Sequence, residues 1–289
     1  MKIRRLGYFA LSIIFLGLAG QAGFGPGRCI NLIQAEELEV SGGKITPVEP
    51  GREKKVREGN YGQAIYHPPS PQDAPSEIRE DVMLGYSLIL ETQKYLDLYG
   101  GNKLNCANCH FEEGITEGGK NGGISLVGVV ATYPAYSQRK EAVISLVTKV
   151  NDCFKRSLNG DPLPAEGREM TAILTYLQWI ARDLPVYAHI PWLGLRPIES
   201  DHQPDPETGR QVFTRICAKC HGNEGQGQTA PPLWGSDSFN DGAKMHELST
   251  LAAFAYDNMP RGNPGLSVEE ALDAAAYVTG QPRPHFTGN

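Results

Sequence analysis

Two five-residue stretches decide the fold: Cys106-Ala107-Asn108-Cys109-His110 and Cys217-Ala218-Lys219-Cys220-His221. Both have the spacing C-x-x-C-H, which is the attachment signal for c-type haem. Two thiols one helical turn apart can each form a thioether to a vinyl group, and the adjoining histidine can then bind iron. The sequence therefore predicts two covalently bound haem c groups. The predicted attachment residues are Cys106, Cys109, Cys217 and Cys220, and the predicted proximal iron ligands are His110 and His221.

Paired cysteines also occur in two other kinds of site. C-x-x-C pairs bind zinc as a four-cysteine site, but here each pair is followed by its own histidine. A thioredoxin-like redox pair would need an alternating strand and helix pattern, which the sequence does not show. The haem interpretation is favoured, and the zinc site remains the alternative.

The segments around the two motifs follow the same order: helix, cysteine pair, glycine-rich loop, middle helix and closing helix. This imperfect internal repeat predicts a mainly α fold with two cytochrome c-like domains joined by a proline-rich linker. Helices are expected from Ser76, as a cap, onwards and over 141–158, 166–181, 207–217, 245–256 and 267–278, from the spacing of apolar residues.

The N-terminus has the pattern of a secretory signal peptide. Lys2, Arg4 and Arg5 precede an apolar run over 8–19, which is shorter than the roughly 20 residues needed to cross a bilayer. We therefore expect export to the periplasm. The predicted division is a signal peptide over 1–35, an N-terminal arm over 36–75, a first cytochrome c domain over 76–190, a linker over 191–206 and a second cytochrome c domain over 207–289.

Charge and composition restrict the class of protein. The 289 residues include 27 basic and 33 acidic side chains, which gives a net charge of -6, and 40% are hydrophobic, enough for a buried core. Removing residues 1–35 takes away four basic residues and no acidic one, which leaves a mature net charge of -10. No long block of like charge is present, so a nucleic-acid partner is not expected.

Each haem iron needs a second axial ligand, and the repeat indicates where to look. In the second half, Met259 lies 38 residues after His221, in a turn before the closing helix. Met245 is interpreted as a core side chain, which is the usual role of methionine. A His/Met pair raises the haem potential and suits electron transfer.

In the first half the matching position is Cys153, 43 residues after His110. It is the one cysteine of the predicted mature chain that is not committed to haem attachment. The pattern favours a thiolate on iron, and a buried inert thiol or an intermolecular disulfide remains open. Nearby cations favour thiolate and attract anions, although Lys140 and Lys155 are expected to be merely solvated. The local charge therefore points to an anionic substrate.

These residues resemble the dihaem thiosulfate dehydrogenases from about Gly85 to the C-terminal helix. The resemblance rests on GGNKLNCANCH at 100–110, Tyr133-Pro134-Ala135-Tyr136 with Arg139, VNDCFKRSLNG at 150–160, EMTAILTYLQW at 169–179 and DNMP at 257–260. It implies that His110 and Cys153 ligate the first haem and form the active site, and that the second haem relays electrons through His221 and Met259.

The resemblance also implies catalytic roles for Arg139, Lys149 and Ser157. Lys149 stands where the family has arginine, so a bidentate grip on the substrate is in question. The implied reaction joins two thiosulfate ions into tetrathionate and releases two electrons to a soluble or membrane-associated acceptor such as another cytochrome c, with the reverse reaction left open. A dihaem cytochrome that only carries electrons in the periplasm, or a dihaem peroxidase, is the alternative.

Overall fold

The computed structural model describes residues 38–41, 44–47, 66–187 and 190–288. The predicted signal peptide lies outside these residues. The chain divides into two units, residues 1–55 and 56–289. In the first unit, strand β1 (Leu38–Ser41) pairs antiparallel with strand β2 (Lys44–Pro47). No helix among the described residues is long and apolar enough to cross a membrane.

The second unit is mainly helical. Its first half contains α1 (Ser76–Leu90), α2 (Thr92–Tyr95), β3 (Ala135–Ser137), β4 (Ala142–Ile144), α3 (Leu146–Arg156) and α4 (Arg168–Trp179). Its second half contains α5 (Pro206–Val212), a π-helical segment (Phe213–Cys217), α6 (Ala218–His221), α7 (Leu248–Asn258) and α8 (Val268–Thr279). Short 3-10 turns are formed by Pro71–Asp73, Cys106–Asn108, Phe111–Gly114, Val129–Thr132 and Lys244–His246.

The same helix crossing occurs in both halves. Helix α1 packs on α4, and α5 packs on α8. A glycine lies at each crossing: a Cβ atom on Gly85 would collide with the carbonyl of Ala172, and one on Gly209 would collide with that of Asp273. Only glycine permits such a close approach of two backbones. The predicted repeat is therefore present in the packing, and the mainly α prediction is confirmed.

The core of the first half is completed by the second half. Val82, Met170 and Tyr176 are fully buried between α1 and α4, and Phe239 and Ala243 belong to the same buried cluster. Burial of each large apolar side chain contributes about 1.5–3 kcal/mol, so this shared cluster favours association of the halves. The predicted proline-rich linker thus connects two halves that pack as one compact unit.

The helix predicted over 141–158 is wrong at its start. Residues Ala142–Ile144 form β4, which pairs antiparallel with β3. Helix α3 begins only after Ser145, whose side-chain oxygen accepts the Thr148 N–H at 3.2 Å. The apolar spacing over these residues suits a helix or a strand, and the choice depends on a pairing partner that periodicity does not reveal.

Two further helix starts differ from the prediction. Ser76 is not the cap of α1, because it is the first helical residue after Pro75 and its hydroxyl donates to the Glu77 carboxylate. The helix expected to begin at Met245 begins at Leu248, after a 3-10 turn. Helix ends are the least determined part of a periodic pattern, whereas α4 and α8 lie where the spacing predicts them.

Candidate active site

The first attachment motif lies in a short turn that follows α2. Thr92, the first residue of α2, is fully buried. Its hydroxyl accepts the Cys106 N–H at 3.0 Å and donates to the Cys106 sulfur at 3.3 Å. The side-chain oxygen of Asn105 accepts the Gln93 N–H at 2.9 Å. These contacts fix the first attachment sulfur against α2.

Both predicted proximal histidines are held in the same way. Nδ1 of His110 lies 2.8 Å from the carbonyl oxygen of Ile124, and Nδ1 of His221 lies 2.7 Å from that of Pro231. A carbonyl can only accept, so Nδ1 carries the proton and Nε2 remains available for iron. Burial lowers the pKa of both imidazoles, which favours the neutral form that binds a metal. This donor arrangement fits a haem iron at each motif.

The second motif continues a helix that starts in α5. The π-helical segment leads into α6, which carries the remaining motif residues. The ring of Phe213 packs 5.0 Å from Trp234 and 5.5 Å from Tyr277, measured between centroids. Burial raises the pKa of Cys217 to about 11, whereas Cys220 is exposed. One attachment edge of the second site therefore faces solvent.

Cys153 lies on α3, one turn after Lys149. Burial raises the pKa of the Cys153 thiol, the charge of Lys149 opposes this rise, and Asp152 adds to it. Lys149 favours the thiolate, as expected of a nearby cation, but burial of the thiol has the larger effect on its pKa. Coordination to a metal deprotonates a thiol outright, so a thiolate here would depend on iron.

Cys153 shares one site with the first attachment motif. The pKa of Cys106 is raised to about 11 and that of Cys109 to about 12, mainly by burial, and the charge of Cys153 is one of the smaller causes of both shifts. The charge of Lys149 likewise lowers the pKa of His110, after the larger effect of burial. These electrostatic effects require proximity, so the motif, Cys153 and Lys149 are brought together as the sequence suggested.

Ser157 lies one turn beyond Cys153, at the end of α3. Its backbone N–H donates to the Cys153 carbonyl at 2.8 Å, and its own carbonyl accepts from the side-chain amide of Asn102 at 2.8 Å. The same amide donates to the Ser238 carbonyl of the second half at 3.0 Å. Ser157 therefore lies on the helix that carries Cys153, held by a buried cross-half contact.

Arg139 faces the second half of the chain. It lies in the hairpin turn between β3 and β4 and donates to the Gly242 carbonyl at 2.9 Å and to the Glu247 carboxylate at 3.1 Å. Both charged side chains are 41% exposed, and such pairs contribute only about 0.2–1 kcal/mol. A bound anion would have to compete with Glu247 for this guanidinium.

The remaining cations around α3 are partly paired. Lys140 forms an ion pair with Asp152 at 3.0 Å, with 33% of its side chain exposed, so the expectation of a merely solvated Lys140 is wrong. The guanidinium of Arg156 lies 3.9 Å from the centre of the Phe286 ring and donates to the Gly242 carbonyl at 3.2 Å. Asp152 thus neutralises part of the positive charge around α3. The attraction of an anion to this site therefore depends more strongly on Lys149.

Tyr133 is a site residue that the motifs alone do not reveal, although it lies in the segment Tyr133-Pro134-Ala135-Tyr136. Burial, together with the smaller effects of the charges of Cys153 and Asp152, raises the pKa of Tyr133 to about 12. Tyr133 also lines a cavity of about 330 Å³, whose other lining residues are Val130, Pro134, Ser145, Leu146, Leu174 and Gln178. The cavity therefore lies beside the Cys153 site.

The two methionines of the second half have different surroundings. Met245 packs against the hydrophobic clusters of both halves, as expected of a core side chain. Met259 follows the last residue of α7 in extended backbone and packs against a smaller cluster that includes Val212 and Leu266. Met259 therefore lies directly after α7, at the start of the bend that leads to α8, where the sequence predicts an iron ligand.

Comparison with known proteins assigns the chain to a family. The SoxA/TsdA cytochrome c domain matches residues 93–186, and the domain described as cytochrome C oxidase, cbb3-type, subunit III matches residues 204–278. Thiosulfate dehydrogenase of Stutzerimonas stutzeri is 38% identical over 77% of this chain and 74% of its own length. The chain belongs to the dihaem thiosulfate dehydrogenase family.

Two further matches agree with this family. Thiosulfate dehydrogenase of Allochromatium vinosum is 35% identical over 72% of this chain and 80% of its own length. The solved structure of thiosulfate dehydrogenase (TsdBA) from Marichromatium purpuratum, as isolated, superposes with a TM-score of 0.71 at 29% identity over 78% of this chain. This chain spans 51% of that longer chain. As a member of the dihaem thiosulfate dehydrogenase family, the protein is an enzyme with two cytochrome c domains that use haem c.

Proposed function

We propose that the enzyme oxidises two thiosulfate ions to one tetrathionate at Cys153, in the periplasm, with the reverse reaction available at the same site. The observation that carries the proposal is the sharing of one site by Cys153, Lys149 and the first attachment motif. His110 and Cys153 would hold the first haem iron, and His221 and Met259 would hold the second. When bound, the two haem c groups supply acceptors for one electron each.

Cys153 provides the sulfur on which the substrates are joined. In the first step, the terminal sulfur of one thiosulfate forms a sulfur–sulfur bond with Cys153 Sγ, and two electrons leave. A thiolate and a dianion, with three negative charges together, become a cysteine thiosulfonate with one. In the second step, the terminal sulfur of another thiosulfate attacks the sulfur bound to Cys153. The Cys153 thiolate leaves, and tetrathionate, a dianion, is released.

Electrostatic repulsion is the main obstacle to this reaction. Two dianions must meet at one thiol in a chain whose predicted mature net charge is -10. Lys149 is the cation that acts on Cys153, and it is exposed, so it can meet an incoming anion. We infer that Lys149 binds sulfonate oxygens, and that Arg139 joins it when the substrate displaces Glu247.

Lys149→Gln is expected to raise the KM for thiosulfate about fivefold and to leave both haems attached. An exposed charge contact is worth up to about 1 kcal/mol, and this free energy corresponds to roughly that factor. Lys155→Gln removes the same charge from the same helix and serves as the control. Steady-state kinetics at low ionic strength measure both effects. Equal KM values in Lys149→Gln and the unaltered enzyme would exclude Lys149 from substrate binding.

Electrons are proposed to leave from the second site to another cytochrome c or a similar redox protein. Cys220 is exposed, whereas Cys106 and Cys109 are only partly exposed. Electrons pass between two proteins when their cofactors come close together, so the donor haem needs an edge that faces solvent. The exposed Cys220 indicates such an edge at the second motif. The exposed surface next to Cys220 includes the cation Lys219 and the anion Glu224, so docking there is expected to depend weakly on salt.

The function is tested by anaerobic addition of thiosulfate to the oxidised holo-enzyme. Haem reduction with release of one tetrathionate per two electrons is expected. If thiosulfate leaves the haems oxidised while another reduced cytochrome c reduces them, the protein is an electron carrier and the proposed activity is wrong.

A further inference from the structure

The turn that carries Met259 is held by a loop of the first half. The backbone N–H of Asn121 donates to the Asp257 carbonyl at 2.6 Å. The side-chain oxygen of Asn121 accepts the Gly262 N–H, also at 2.6 Å. Asn121 of the first half therefore forms hydrogen bonds to both ends of the segment 257–262. Met259 lies between these two ends.

We call the two hydrogen bonds of Asn121 the Asn121 clamp. Further contacts between the two halves lie beside it. The Gly123 N–H donates at 2.7 Å to the side-chain oxygen of Asn258, which is completely buried. The guanidinium of Arg261 lies 4.3 Å from the centre of the Phe111 ring, and that ring packs edge-on against Phe254 at 5.8 Å. The Met259 turn is thus flanked on both sides by contacts to the first half.

We propose that Asn121 is a positioning residue that holds the Met259 thioether in place as an iron ligand of the second haem. The inference rests on the proposed role of Met259 and adds the residue that maintains it. Asn121 itself would contact neither haem nor substrate in this role. It acts by fixing the two ends of the segment in which Met259 lies.

The local backbone explains why asparagine suits this position. Asn121 has a φ of 61°, in the left-handed region that asparagine adopts more readily than most residues. In that conformation its N–H donates to Asp257 and its side-chain oxygen accepts from Gly262. A longer or branched side chain would be strained there, and glycine would keep the N–H contact but lose the side-chain acceptor.

The clamp also connects the two candidate haem sites. Ile124, whose carbonyl holds the His110 imidazole, follows Gly123 in the same loop. The loop therefore contacts the proximal ligand of the first site and the Met259 turn of the second. Loosening it at Asn121 is expected to act on the second site, because the His110 contact is made by a different residue.

The test compares Asn121→Gly with Asn121→Asp, which retains a side-chain oxygen acceptor. Asn159→Gly is the matched control, because Asn159 also has a positive φ of 50° and its side-chain oxygen also accepts a cross-half hydrogen bond, from Asn240. The purified holo-enzyme is examined by spectroelectrochemistry and by heating, while the methionine–iron charge-transfer band is recorded. Global unfolding is followed in parallel by far-ultraviolet circular dichroism.

Asn121→Gly is expected to lower the midpoint potential of the second haem and to lose the methionine band at a lower temperature, with global unfolding unchanged. Loss of methionine ligation lowers a haem potential. Asn121→Asp and Asn159→Gly should retain the original potential and band. An unchanged band and potential in Asn121→Gly, or an equal shift in Asn159→Gly, would overturn the inference. If Met259→Ala keeps the band, Met259 is not the ligand, and the ligand assignment falls together with this inference.

Discussion

Cys153→Gly is expected to abolish tetrathionate formation, with a loss of more than about a thousandfold in kcat, as is typical when a nucleophile is removed. Glycine has no sulfur with which to form the bond to thiosulfate. The variant should still carry two haems, because Cys106 and Cys109 remain for attachment and His110 keeps its contact with Ile124. The spectrum of the first haem should change, since its proposed thiolate ligand is lost.

Inactivity of Cys153→Gly could result from the loss of the thiol or from a loss of folded protein, and a control variant distinguishes the two. Glycine inside α3 costs about 1 kcal/mol, and Lys155→Gly imposes the same helix cost on the same helix without removing the thiol. Cys153→Gly should unfold at a lower temperature than Lys155→Gly, because it also removes a buried side chain, but it should be folded at the assay temperature, and only Cys153→Gly should be inactive. Tetrathionate release, haem stoichiometry from intact mass and the first haem's spectrum are measured together. Substantial activity in Cys153→Gly would refute covalent catalysis by this residue.

Met259→Ala is expected to slow turnover with an external acceptor at least about tenfold while the first haem is still reduced by thiosulfate in a single turnover. The reason is that loss of a methionine ligand lowers the potential of the second haem, so electrons pass to it less readily. Stopped-flow absorbance of each haem separates the two steps. The proposed substrate site around Cys153 is not altered by this substitution.

Met245→Ala supplies the matched control for the second haem. Met245 packs against both hydrophobic clusters, so its truncation should destabilise the fold by about 2 kcal/mol and leave the spectrum and potential of the second haem unchanged. If Met259→Ala left the second haem's potential unchanged, another residue would be its ligand. Loss of thiosulfate-driven reduction of the first haem in Met259→Ala would also contradict the assignment.

The features that are local in sequence could be predicted. Each attachment motif is complete within five residues, and the position of Met259 follows from its distance to the closing helix. The repeat of helix, motif and closing helix is likewise visible in the apolar spacing, and it corresponds to the glycine-mediated crossings at Gly85 and Gly209. These features depend on neighbours along the chain, so one sequence is sufficient to find them.

The features that depend on distant partners could not be predicted. Ala142–Ile144 form a strand because a partner strand precedes them, and Arg139 is turned towards Glu247, more than a hundred residues away. The ties from Asn121 to Asp257 and Gly262 are similarly long-range. The raised pKa of Cys153 also depends on burial, which no count of nearby cations reveals.

The central claim is that Cys153 takes up thiosulfate-derived sulfur covalently. The most direct measurement adds one equivalent of thiosulfate anaerobically to the oxidised holo-enzyme, so that no second thiosulfate is available to release the group. An acid quench then suppresses thiolate exchange, and the peptide that contains Cys153 is analysed by mass spectrometry. We predict that this peptide gains the mass of one S2O3 group while two electrons per enzyme enter the haems. Reduction of both haems with an unmodified Cys153 peptide would contradict the mechanism.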